Sequence, residues 1–249
     1  MNTENISRLQ LGVSNPKLLP ASAIKVFADG TWINLGEKSN IPPRRSLRAI
    51  LWDGLAKVRR KLNPALRNLD QAREDDWRET YKAMRLTPFW WGKGESLPFR
   101  DGAFNFIFSE HFFEHIFMDE AYELFLECKR VLNPKGVFRM SVPDADLRTY
   151  AGLEPLAFDA KTGKSSKLGW DHPDTHKTRW NIYSLSLLLK LAGFQVIPLA
   201  YCDRYGKFYS EWPKAFSSPY PESSDWKVIC ADRYIKRKFS LIVNAIHLK

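Results

Sequence analysis

The sequence predicts an α/β fold, a mostly parallel central sheet with helices on both faces and a helical insertion. Three observations lead there. The apolar run "FNFIFS" is followed by a helical pattern and then by "VFRMSV", the strand–helix–strand unit of a parallel sheet. A short apolar stretch, "LQLG", closes on a glycine near the start of the chain. Two more apolar runs, "FQVIPLAY" and "FSLIVNAIHL", read as closing strands at the far end.

Each element has its own signal. "SRLQLGVS" is a short buried strand ending at Gly12, and "AIKVFADGTWINLGE" is a second β-rich piece with a turn at Asp29-Gly30. In "SLRAILWDGLAKVRRKL", Leu47, Ile50, Leu51, Leu55, Val58 and Leu62 recur at helical spacing. Pro64 opens a second helix through "ALRNLDQAREDDWRETYKAM". The apolar faces of this pair are too small to enclose a core. Residues 1–249 therefore read as one domain, with a helical insertion or lid at about 39–91.

Asp101-Gly102 is a turn signal, and the continuous apolar run after it suits a central strand covered on both faces. Ala121, Leu124, Phe125, Cys128, Val131 and Leu132 then mark one helix face, and "NPKG" supplies a proline and a glycine to stop it. "VFRMSV" is a strand ended by Pro143, and residues 151–179 read as a polar loop. "NIYSLSLLLKLAGF" is a helix with glycine just past its end.

Composition narrows the class. The chain has 44% hydrophobic and 27% charged residues, which suits a globular protein with a sizeable core. The first residues lack a basic segment followed by an apolar run, and no apolar stretch is long enough to span a bilayer, so a cytoplasmic location is expected. Cys128, Cys202 and Cys230 are odd in number and far apart, which fits neither a disulfide framework nor a zinc site. The net charge is +10, and residues 44–67 hold eight basic residues against Asp53 alone, a local balance of +7. Such a segment is either a solvated helix face or an attractor of phosphates and anionic surfaces.

Ordered motifs run through most of the chain: "LQLGVS", "GTWINLGE", "LPFRDGAFNFIFSEHFFEHI", "LNPKGVFRMSVPD" and "LAGF". In order and spacing they resemble the class I S-adenosylmethionine (SAM)-dependent methyltransferases, nearest to the predicted methyltransferases of bacterial surface-polysaccharide gene clusters. The resemblance implies a Rossmann-like fold and SAM as cofactor. It implies cofactor contacts from Leu11, Gly12, Val13 and Ser14, from Glu95, Ser96 and Leu97, and from Ser109 and Glu110. Two positions depart from the pattern. Ser14 stands where a second glycine is expected, and Gly36 stands where an acid would hold the ribose hydroxyls. Glu37, the next residue, is the candidate replacement.

His176 is the first candidate for a base, because relatives carry a histidine–lysine pair just before this helix and imidazole titrates near neutrality. Asp144, after Val142-Pro143 at a strand end, and His111 are the other candidates. His111 and His115 are four apart, but "FFE" stands between them, so the "HExxH" zinc motif is absent and no metal is expected. Glu114 and His115 are expected to cap or pack the next turn. Trp90, Trp91, Trp170, Trp180 and Trp212 either stack on a sugar or base or fill the core.

The expected activity is O-methylation of a sugar or glycan precursor, with a small-molecule or glycan acceptor that could bear phosphate. Two other readings stay open. One is a methyltransferase-like binding or scaffold protein that has lost its cofactor. The other is a nucleic-acid methyltransferase, which the basic charge favours. The lack of an RNA-binding module and of an "NPPY"-like motif after "FNFIFS" speaks against it. The basic helices could also touch a membrane surface peripherally.

Overall fold

The computed structural model describes residues 6–12, 25–36, 83–89, 91–147, 176–210 and 240–248. Within them, eight strands build one sheet in the order β3-β2-β1-β4-β5-β8-β6-β7. They are β1 (Arg8–Leu11), β2 (Trp32–Gly36), β3 (Thr87–Pro88), β4 (Phe104–Glu110), β5 (Leu132–Pro143), β6 (Phe194–Cys202), β7 (Phe208–Ser210) and β8 (Ser240–His247). Strands β1 to β5 pair in parallel. Strand β8 lies antiparallel between β5 and β6, which leaves β6 running the same way as β5. This is the mostly parallel, Rossmann-like α/β sheet that the sequence predicts.

Strand β4 is central, with β1 on one side and β5 on the other. Its side chains are buried except Asn105, where a register shift interrupts the ladder. Alternation sends Leu9, Leu11, Ile107, Phe138, Met140, Val142, Leu241 and Val243 to one face, where they form the main core.

Helices α1 (Met118–Val131) and α2 (Ile182–Leu191) cover that face. In α1 the buried residues are Ala121, Leu124, Phe125, Cys128 and Val131, the stripe read from the sequence. Asn181 caps α2, its Oδ1 accepting from Ser184 N at 2.9 Å, and Gly193 with φ 86° turns the chain out of it. On the opposite face Phe27 stacks on Phe108, and Trp32 meets Phe106 edge-on.

The structure departs from the sequence reading in three places. "NPKG" does not separate helix from strand, because β5 begins at Leu132 and runs through it; Lys135, with φ 70°, takes up the distortion. The short strands β3 and β7 went unread, since two and three residues carry no periodicity. The helix read at residues 46–62, all but the last two residues of that read at 65–84, and most of the insertion at 39–91 lie outside the described residues. No helix among the described residues is long and apolar enough to cross a membrane.

Candidate functional site

Strand order creates a crevice. From β1 the chain builds outward to β2 and β3, then crosses back to form β4 on the other side of β1. The C-terminal ends of β1 and β4 therefore diverge at a topological switch point, where open α/β sheets bind ligands. Leu11 is paired with Ser109 there. Leu11 itself is fully buried in the core.

Gly12 follows with φ 68°, a left-handed conformation. A Cβ at Gly12 would lie 2.6 Å from Phe112 Cβ, so glycine is required by backbone and neighbour together. Phe112 itself was not singled out, because a phenylalanine in an aromatic run looks like core.

Ser109 is fully buried, and its Oγ has no hydrogen-bond partner. A buried hydroxyl left unpaired is costly, and a polar ligand would satisfy it. Gly12 in its turn and the unpaired Ser109 Oγ thus fit a polar cofactor at the switch point. Glu110 is also buried, on the opposite face by alternation. Val13, Ser14 and Glu37 lie outside the described residues.

The loop before β4 is held differently from expectation. Glu95 and Ser96 are exposed, and Glu95 Oε2 accepts from Gly92 N at 3.0 Å. Leu97 is a core residue, with its N donating to Glu127 Oε2 at 2.7 Å. Its side chain packs in the protein interior.

The second half of the site follows β4 directly. His111, with φ 50°, turns the chain into a short 3-10 turn at Phe113–His115. This conformation keeps His111 and His115 off a shared helix face. Glu114 joins them instead. Its Oε1 lies 3.1 Å from His111 Nδ1 and 4.0 Å from His115 Nε2. A carboxylate only accepts, so His111 Nδ1 carries the proton; Nε2 lies 3.1 Å from Ser240 Oγ. Both nitrogens of His111 are engaged, which makes it a positioning residue rather than an open base.

His176 completes the cluster from far along the chain. The backbone of Lys177 and Thr178 donates to Glu114 O at 2.7 and 3.1 Å, and Thr178 Oγ donates to Ile116 O at 2.6 Å. Trp180 Nε1 donates to Phe113 O at 3.1 Å. These bonds zip residues 177–180 to the 113–116 turn and set the His176 ring 4.9 Å from that of His115, edge to face. Burial opposes ionisation of Glu114. The His111 hydrogen bond and the three histidines outweigh it and hold its pKa below the ordinary carboxylate value. The sequence offered two of these histidines side by side, but no local signal ties position 176 to position 114.

Asp144 is placed at the end of β5, as expected, but its carboxylate is occupied. Oδ2 accepts from Cys202 N at 2.6 Å and Oδ1 from Asp146 N at 3.0 Å. It ties β5 to β6 and β5 to the turn that follows. Burial still pushes its pKa up to about 6. Trp180 is wholly buried against Phe125 and cannot stack on a ligand. Cys128 and Cys202 are buried free thiols.

Fold and site together define an α/β protein with a glycine turn and a buried serine hydroxyl at the switch point and a histidine–glutamate cluster after it in the chain. A family model described as "Methyltransferase domain" matches residues 58–140, one third of the chain. No curated protein matches the chain. Among solved structures, a Methanosarcina mazei SAM-dependent methyltransferase is 15% identical, with 98% of this chain and 93% of that one covered and a TM-score of 0.43. An Aquifex aeolicus SAM-dependent methyltransferase is 11% identical over 98% and 83% of the two chains, with a TM-score of 0.43. A chain from the Haloferax volcanii complex of the Trm112 methyltransferase activator with a methyltransferase is 16% identical over 98% and 83%, with a TM-score of 0.44.

Proposed function

We propose that this protein is a SAM-dependent methyltransferase acting on an oxygen of a sugar or glycan precursor. One observation carries the reading: the unpaired Ser109 Oγ of the switch point is followed directly by the His111–Glu114–His115–His176 cluster, with Glu110 alone between Ser109 and His111 in the chain. Gly12, Ser109 and Glu110 would hold the cofactor, together with Val13, Ser14 and Glu37 just beyond the strand ends. The bound cofactor supplies an electrophilic methyl group on a sulfonium.

The protein's own part is alignment and proton removal. His176 takes the proton of the acceptor hydroxyl, with its ring placed by the bonds from residues 177 and 178 to Glu114 O. Alignment of acceptor and donor contributes most of the acceleration. A cofactor-free scaffold is the competing reading. It is favoured by the Phe112 ring lying against Gly12, together with Ser14 and Gly36 at the departing positions.

Calorimetry with SAM and its demethylated product separates the two. Saturable binding supports the enzyme, and no heat at about millimolar ligand, a Kd weaker than roughly −4 kcal/mol, leaves the scaffold. With an acceptor in hand, His176→Ala lowers turnover by about 10²–10⁴ and leaves SAM affinity nearly unchanged. Full turnover in that variant removes His176 as the base.

A further inference from the structure

We propose that Glu114, His115 and His176 form a binding site for one divalent transition-metal ion of the zinc class. One donor atom from each of the three lies within 4.8 Å of the others. Two imidazoles and a carboxylate are the donor set such ions prefer, and the set leaves a coordination position open. Magnesium and calcium prefer all-oxygen sites and are not expected here.

The environment of Glu114 supports the assignment independently. The residue is 1% exposed, and its Oε2 has no hydrogen-bond partner. A buried carboxylate oxygen without a donor is expensive, and a cation removes that cost. Oε1 accepts from His111 Nδ1 at 3.1 Å, the kind of outer-shell bond that fixes a ligating carboxylate, and is the oxygen that faces His115 Nε2 at 4.0 Å.

The two chain segments that carry the ligands are locked together without any metal, through the donors of Lys177, Thr178 and Trp180 to backbone carbonyls of the 113–116 turn. Metal–ligand bonds of about 2.0–2.2 Å set ligand atoms roughly 3.3 Å apart, so the side chains must draw in by up to about 1.5 Å. Both histidines are only partly buried.

Metal binding does not rest on methyl transfer. With the ion in place, however, His176 acts as a ligand and does not take a proton, so metal content and turnover must be read on the same samples. The test uses the full chain, stripped with chelator and titrated with Co²⁺ while its visible absorption is followed, then with Zn²⁺ in competition. One equivalent of Co²⁺ is expected, displaced by Zn²⁺ in the usual order of stability.

His115→Ala and His176→Ala should each weaken binding by at least about 100-fold. His111→Ala should weaken it by roughly 10- to 100-fold and keep the one-to-one stoichiometry. Glu114→Gln could fail to fold, so the partly exposed histidines are the deciding variants, with circular dichroism as the folding check. Absence of a saturable single equivalent overturns the site. So does binding that survives both histidine substitutions, which marks an adventitious ion. Loss of turnover in His176→Ala with metal affinity retained also overturns it, because His176 is then a base and not a ligand.

Discussion

Gly12 shows how one residue can answer two demands. Its φ of 68° is a conformation that side chains disfavour, and Phe112 fills the space where a Cβ would go. Gly12→Ala is therefore expected to cost about 1–3 kcal/mol from backbone strain and overpacking together. Phe112→Ala in the same chain should recover the overpacking part but not the strain. Denaturant unfolding of the two single variants and the double variant checks this, and strictly additive losses would show that Phe112 does not press on position 12.

Asp144 makes a pH-dependent prediction. Its pKa is raised to about 6 in the folded protein, above its ordinary value of 3.8, and burial is the main cause. Between those values the folded state binds more protons than the unfolded state. The contribution of Asp144 to stability is thus greatest below about pH 4 and declines as pH rises toward 6. Asp144→Asn removes that titration and replaces an acceptor of two backbone donors with an amide that accepts through one oxygen. The variant should be less stable than wild type by about 1–3 kcal/mol at low pH, with the gap narrowing as pH rises to 6. Urea unfolding at several pH values measures it, and a constant gap would remove Asp144 as the titrating group.

At the scale of elements, α1 acts on both its faces. Its apolar stripe closes the core, while Asp119, Glu123 and Glu127, four residues apart, form a second stripe. These receive Lys93 Nζ, Gly94 N and Leu97 N at 2.6, 2.8 and 2.7 Å. Arg130 adds bonds from Nη1 to Phe99 O at 2.8 Å and from Nη2 to Leu97 O at 3.0 Å, while Asp101 and Glu127 hold its guanidinium. The loop before β4 is therefore a strap on α1. Arg130→Met should cost about 1.5–3 kcal/mol by orphaning those carbonyls and acids. Amide exchange across residues 93–101 should quicken while that of β4 stays slow. Uniform quickening through β4 would show that Arg130 supports the whole sheet instead.

At the scale of the whole molecule, the strand order places the glycine turn, Ser109 and the histidine–glutamate cluster along one sheet edge. The net charge of +10 and the basic run at residues 44–67 add an electrostatic expectation for a phosphate-bearing acceptor. Reversing Arg59 and Arg60 to glutamate should raise the acceptor KM and flatten its salt dependence, with SAM affinity unchanged. Steady-state kinetics across ionic strengths test this. An unaltered salt profile would return the segment to a solvated face.

The sequence by itself determined the strand–helix–strand heart of the fold. Periodicity is local, so the apolar run of β4, the buried stripe of α1 and the glycine after α2 were all readable where they stand. It also determined which residues sit at strand ends, Gly12, Ser109 and Asp144 among them. Only the tertiary structure decided what those residues face. It spent both oxygens of Asp144 on backbone donors and turned Leu97 into the core. It bound both nitrogens of His111 and carried His176 across more than sixty residues to Glu114. Hydrogen bonds between distant segments leave no period in a sequence, and the same residue types serve a strand end whether their polar atoms are spent on the fold or kept for a ligand.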